Sequence, residues 1–247
     1  MTTPREVFFE PSEYQSRLIR LQEALVANGI DLLVTCAPGN ICYLNGYVSV
    51  NVLDIMFVAI PSDGKPVFYL WQFERGRAES TVTGMETVCW DTGVDPIEFL
   101  VNDLTHRGYK KGRIGIDTGS THTSFDTVQQ LLSQLNGEPT KGLIEKLRLV
   151  KSIAEQQYVR EAAAITDAGV KAAVAAIAVG KDDHEIGEAA GSALLTHKSE
   201  FLALEPIICV GWRSGAPHSP RGGTRVEAGD PVFIELSGVR ARYHSPL

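Results

Sequence analysis

At 247 residues the chain is long enough for one large domain or two ordinary ones, each with an adequate core. With 44% hydrophobic and 21% charged residues it carries no disorder signature, and a net charge of -7 with no basic patch argues against a nucleic-acid or anionic-membrane surface. The opening MTTPREVFFEPSEYQ lacks a basic segment followed by an apolar core, and no apolar run reaches spanning length, so a cytoplasmic protein is expected. The four cysteines, Cys36, Cys42, Cys89 and Cys209, show no paired zinc spacing and read as reduced, mostly buried thiols.

The first element opens with a capping-box pattern, Ser12-x-x-Gln15. An apolar stripe at Tyr14, Leu18, Leu21 and Leu25 follows, and Gly29 stops the helix. The run Leu32 to Val34 predicts a buried strand, and Ala37-Pro38-Gly39-Asn40 a loop. Further strands are expected at Ile55 to Ile60, Val67 to Leu70, Thr87 to Trp90 and Arg113 to Ile116. Asp95-Pro96 marks one helix start, and another helix runs from about Ser124 to Leu135. Alternation of this kind predicts an α/β domain of roughly 140 residues.

A second segment follows Asn136-Gly137-Glu138-Pro139. Ser152-x-x-Glu155 caps a long alanine-rich helix with Tyr158, Ala162, Ile165 and Ala172 on one face and a stop near Gly180. Its small residues predict close packing against a neighbour. Asp182-x-x-Glu185 caps a further helix to about His197, and Glu205 to Val210 and Pro231 to Ser237 read as strands.

Between those strands lies SGAPHSPRGGTRVEAGDPVFIE, Ser214 to Glu235. His218 stands between Pro217 and Pro220, which restrict the backbone around it, and Gly229-Asp230 is a turn signal leading into Val232, Phe233 and Ile234. A histidine is suited to proton transfer near neutral pH, although in a Gly/Pro loop it is more often a solvated residue. His218 is therefore the candidate catalytic residue.

Three separated motifs, LLVTCAPGNICYLNGY (Leu32 to Tyr47), LRLVKSIAEQQYVREAAAIT (Leu147 to Thr166) and GAPHSP with GDPVFIE, together resemble the pita-bread fold proteins. That family includes creatinase, Xaa-Pro dipeptidases, aminopeptidase P and ectoine hydrolases. The resemblance implies a creatinase/prolidase-type α/β domain over residues 1–145 and an incomplete α+β pita-bread catalytic domain over residues 146–247. It also implies that His218 matches the family histidine lining the active site, and that the protein is a homodimer acting on a small-molecule substrate.

The departures bear on mechanism. The family peptidases hold two metal ions with two aspartates, a histidine and two glutamates. Ungapped matching through Gly229-Asp230 puts the first aspartate position at Glu235 and the second at Pro246, which has no side-chain donor. With a tight turn at Ser237-Gly238, Glu235 would face Arg240 as a cross-strand ion pair and His244 would lie about 13 Å away. With the family's hairpin, turning near Arg240 and Ala241, Glu235 would fall opposite Pro246. Neither register pairs two ligands, so no metal and no other cofactor is expected, and Glu235 is the candidate anchor for a cationic part of the substrate. Continuing the match from Asn40 and Tyr43 puts Val52 and Asp54 where creatinase has a phenylalanine and an arginine that hold a carboxylate in the partner subunit's site. Asp54 is accordingly a second substrate-binding candidate, for a cationic group, against the plainer reading of a surface aspartate.

Retention of the histidine with loss of metal ligands resembles the creatinase-like branch, which implies hydrolysis of a C–N bond in a small amidino or amide compound without metal. Two alternatives stand beside it: an Xaa-Pro metallopeptidase with altered ligands, which would need a divalent metal, and a non-catalytic binding protein of the same fold. Residues 146–247 correspond to about the first half of a pita-bread domain, so the sequence is expected to be a fragment or a half-domain completed by something else, poorly soluble or inactive alone.

Overall fold

The computed structural model describes residues 5–51, 54–119 and 123–247. The chain divides into two compact units, Met1–Val150 and Lys151–Leu247. Among the described residues no helix is long and apolar enough to cross a membrane.

In the first unit, helix α1 spans Pro11–Ala27. It begins ahead of the Ser12 box because Pro11, with its fixed φ and missing N–H, occupies the first helical position behind Glu10, whose side chain makes no cap bond. The expected Ser12/Gln15 cap is therefore not used. Tyr14, Leu21 and Leu25 are buried as the stripe requires, and Leu18 packs partly against the same cluster.

Strand β1 is Leu32–Thr35. The stretch expected as a loop, Ala37 to Asn40, instead starts helix α2, Pro38–Asn45, again with proline in the first turn; Gly46 ends it in the left-handed conformation at φ 79°. Strands β2 (Phe57–Pro61), β3 (Val67–Trp71) and β4 (Glu86–Trp90) follow, with the short α3 (Arg75–Thr81) before β4. Helix α4 (Pro96–His106) starts as predicted, Asp95 accepting from the amides of Ile97 and Glu98. Strand β5 (Ile114–Asp117) and helix α5 (Phe125–Leu135), capped by Ser124, come next.

The turn signal at Asn136-Gly137 is real, Asn136 closing α5 at φ 50°, but Glu138–Thr140 belongs to the first unit as strand β6. Pro139 is tolerated there because β6 is an edge strand. Helix α6, Leu143–Leu149, completes the unit.

The six strands form one sheet in the order β4-β3-β2-β1-β5-β6. Strands β2 and β3 run antiparallel to their neighbours on the β1 side, and the remaining pairs are parallel. Alternate residues divide between the faces. Leu32, Val34, Phe57, Ala59, Val67 and Tyr69 meet α4 and α5 residues such as Leu100, Leu104 and Leu131. On the other face, Leu33, Val58, Ile60, Phe68 and Leu70 meet Leu21 and Leu25 of α1, Ile41 and Leu44 of α2 and Ile144 of α6.

A buried polar knot joins the C-terminal ends of β1 and β5 to α2 and α6. Asp117 accepts from Thr35 Oγ1 at 2.6 Å and from Asn40 Nδ2 at 2.9 Å. Asn40 also donates to Glu145 at 2.8 Å and accepts from Arg148 at 2.7 Å.

In the second unit, helix α7 spans Ile153–Ala176 and carries the predicted capping box between Ser152 and Glu155. Its buried face is Ala162, Ile165, Thr166, Gly169 and Ala173; Ala172, expected on that face, is only half-buried. Helix α8, Asp183–Thr196, has the predicted Asp182/Glu185 box. The two helices approach closely at Gly169, where a Cβ would come within 2.8 Å of Leu194.

Strand β7 (Ile207–Val210) pairs antiparallel with β8 (Val232–Glu235), placing Ile207 opposite Glu235. The predicted strand Pro231 to Ser237 divides after Glu235: β9 (Ser237–Arg240) pairs with β10 (Tyr243–Pro246) in a separate hairpin. Its two turn residues, Ala241 and Arg242, both have positive φ, 50° and 64°, the twist a tight antiparallel turn requires.

Both expected registers are thereby corrected. Ser237 lies opposite Pro246, and Leu236 exchanges backbone bonds with Leu247 at 3.1 Å, so Glu235 faces neither Arg240 nor Pro246. Arg240 pairs with Glu161 at 3.1 Å instead.

Candidate functional site

The connection between β7 and β8 carries His218. It leaves β7 through a 3₁₀ turn, Gly211–Gly215, where the Ser214 hydroxyl lies 2.7 Å from the carbonyl oxygen of Cys209 and 2.9 Å from that of Pro231. One side chain thus ties the end of one strand to the start of the next. The Ser219 hydroxyl donates to Ala216 at 2.6 Å, closing a short turn over Pro217 and His218. Within it His218 has φ 65°, a left-handed conformation that costs a non-glycine residue energy and that the surrounding turn holds in place.

The His218 side chain is 76% exposed, and its Nε2 lies 3.6 Å from Oε2 of Glu235, which is 31% exposed. The structure therefore brings together two of the three candidate residues, from a loop and from the last residue of β8. The imidazole faces solvent on one side and a carboxylate on the other. That arrangement can move a proton to or from a group bound beside it, and the carboxylate favours a cation there.

Asp54 belongs to the first unit. It is exposed and accepts from Asn51 Nδ2 at 2.6 Å. Val52 lies outside the described residues. Glu74, which shares Asn51 Nδ2 with Asp54, gathers Tyr47 Oη at 2.6 Å, Ser49 Oγ at 3.0 Å and that amide at 3.3 Å. Burial opposes the charge of Glu74, but these donors and Arg77 hold its carboxyl below the usual range. Burial and the same carboxylate push the Tyr47 phenol up.

Three anchors of the His218 loop carry no signal that singled them out in the sequence. Arg213 donates to the carbonyl of Pro220, and Arg221 pairs with Glu205. Asp183, fully buried, accepts from the backbone amides of Gly222 at 3.0 Å, Gly223 at 2.9 Å and Thr224 at 3.3 Å. The nearest thing to a signal is the doublet Asp182-Asp183: one aspartate caps α8, which leaves the second without a helical task.

A model of the creatinase/prolidase N-terminal domain matches residues 17–150, and a model of metallopeptidase family M24 matches residues 157–247. The chain belongs to this creatinase/prolidase and M24 family. It is a creatinase-type N-terminal domain followed by part of a pita-bread domain. It is 25% identical to an uncharacterized hydrolase/peptidase of Sinorhizobium fredii over 98% of the chain and 66% of that protein. To the ectoine hydrolase of Halomonas elongata it is 24% identical over 97% of the chain and 65% of that protein. To an Xaa-Pro dipeptidase of Pyrococcus furiosus it is 24% identical, covering 94% and 63%. Among solved structures, prolidase from Thermococcus sibiricus superposes with a TM-score of 0.81 at 18% identity, over 94% of this chain and 64% of that one. The chain thus spans about two thirds of the length of these relatives.

The M24 name implies a divalent metal, and the residues present do not fit one. Pro246 supplies no donor, the neighbour of Glu235 is the His218 imidazole rather than a second carboxylate, and among the described residues no group of three or more histidines, cysteines, aspartates and glutamates could hold an ion.

Proposed function

We propose that this protein is a hydrolase that cleaves a C–N bond in a small amidino or amide compound, with His218 as general base. The observation that carries the reading is the approach of His218 Nε2 to Glu235 within 3.6 Å, in a segment matched to a hydrolase family at a position where the sequence has lost a ligand partner. The imidazole takes a proton from water, the water oxygen bonds to the planar carbon, and the same proton passes to the nitrogen as the C–N bond breaks. Glu235 holds the cationic end of the substrate, and Asp54 offers a second contact for positive charge. The protein works as a cytoplasmic homodimer. The likeness to an ectoine hydrolase supports a cyclic amidine as the first compound to try.

The test uses the full-length protein with ectoine and a panel of amides and amidines. His218→Ala should lower kcat by about 10²- to 10⁴-fold while leaving the fold intact. EDTA should leave turnover unchanged. Undiminished turnover by the variant removes His218 from the mechanism. The M24 match and the Xaa-Pro dipeptidase relative favour one second reading, a metallopeptidase with altered ligands. Its mark would be manganese- or cobalt-dependent release of the first residue from an Xaa-Pro dipeptide, abolished by EDTA.

A further inference from the structure

The loop between β7 and β8 contains Gly222-Gly223, a pair with no side chains to pack and the widest backbone freedom in the segment, Gly223 standing at φ 74°. Something outside the loop has to fix it. The carboxylate of Asp183 takes all three successive amides, two on Oδ2 and one on Oδ1. Behind it the backbone is zippered: Asp183 N donates to Thr224 O at 3.2 Å, Val226 N to Lys181 O at 2.8 Å and Gly180 N to Val226 O at 2.9 Å.

Helix α8 has no need of this carboxylate, because Asp182 already accepts from the amides of His184 and Glu185 in the capping box. A carboxylate with no exposed surface is costly to desolvate, and here the loop amides offset the cost. Among the described residues, the basic side chain within ion-pair distance is the imidazole of His184, its Nε2 at 3.8 Å.

We propose that Asp183 is a positioning residue for His218: by holding Gly222, Gly223 and Thr224 it fixes the downstream anchor of the loop that sets the imidazole against Glu235. The proposal rests on the reading of His218 as the catalytic base, and its first test does not depend on activity. In the full-length protein, Asp183→Asn keeps the shape but replaces an anionic two-oxygen acceptor by a neutral one-oxygen acceptor. Leu194→Ala, buried on the same helix, is the control for destabilisation alone.

Amide hydrogen exchange at Gly222, Gly223 and Thr224 should quicken on the order of tenfold or more in the Asp183 variant. The His218 ring resonances should shift and broaden in that variant and stay unchanged in Leu194→Ala. Parental protection of those amides, or an unmoved His218 ring, overturns the proposal, as does an equal effect in the control. With ectoine as probe, kcat should fall about 10- to 100-fold with little change in KM, as expected for a misplaced base. If His218→Ala retains turnover, the catalytic reading fails while the exchange experiment still decides the role of Asp183.

Discussion

Asp183 and Glu74 are both carboxylates whose burial is outweighed by donors, and both have their pKa lowered in the folded state. A lowered folded pKa contributes stability that is present above the unfolded value, about 4, and lost as pH falls through the folded one. Each unit holds at least one such group, so the urea midpoints of both should drop as pH falls below about 4. In the second unit the half-buried His244, whose pKa burial lowers, should already take some stability away as pH falls below about 6.5. Asp183→Asn should flatten that acid limb for the second unit only. His184 beside Asp183 and Arg77 beside Glu74 are the cationic neighbours on which the drop also depends. The residues themselves were partly legible in sequence. Prolines on both sides singled out His218, and the spacing after Gly229-Asp230 singled out Glu235, but their 3.6 Å approach depends on a left-handed His218 that no sequence pattern announces.

Elements with strong apolar periodicity were legible and those set by backbone conformation were not. The core strands and the helices at Asp95, Ser152 and Asp182 stand where pattern and caps predict them. Helix α2 was hidden because Pro38-Gly39 signals a loop as readily as a first helical turn. The β9-β10 hairpin was hidden because its two left-handed positions are Ala241 and Arg242 rather than Asn-Gly, so both registers considered in the sequence missed the pairing found. Strand β9 lies tight against α7: a Cβ on Gly238 would come within 2.7 Å of the Ala162 carbonyl and 2.8 Å of Ile165. Helix backbone yields poorly, so Gly238→Ala should cost about 1–3 kcal/mol, read as a lower urea midpoint for the second unit.

At the scale of the whole chain, the two sheet-face clusters draw only on the first unit and the α7/α8 cluster only on the second. The tryptophans report on them unequally: Trp71 and Trp90 belong to the first unit, Trp90 at 5% exposure, whereas Trp212 in the second is 79% exposed. The change in emission on unfolding should therefore track the first unit, and Trp90→Phe should remove most of it while the circular dichroism transition persists. A chain of residues 1–150 should show the same cooperative emission transition; a broad, non-cooperative one would mean that the first unit needs the second to hold its fold.

Asn40 spends its whole amide on Asp117, Glu145 and Arg148, and so binds the last helix of the unit to its fifth strand and second helix. Once residue 150 has emerged from the ribosome, every group needed to seal that unit is already outside the tunnel or about to leave it. The nascent chain can thus bury both faces of its sheet while the histidine-bearing loop is still being synthesised, which shortens the time that apolar surface stands open to chaperones and to other chains.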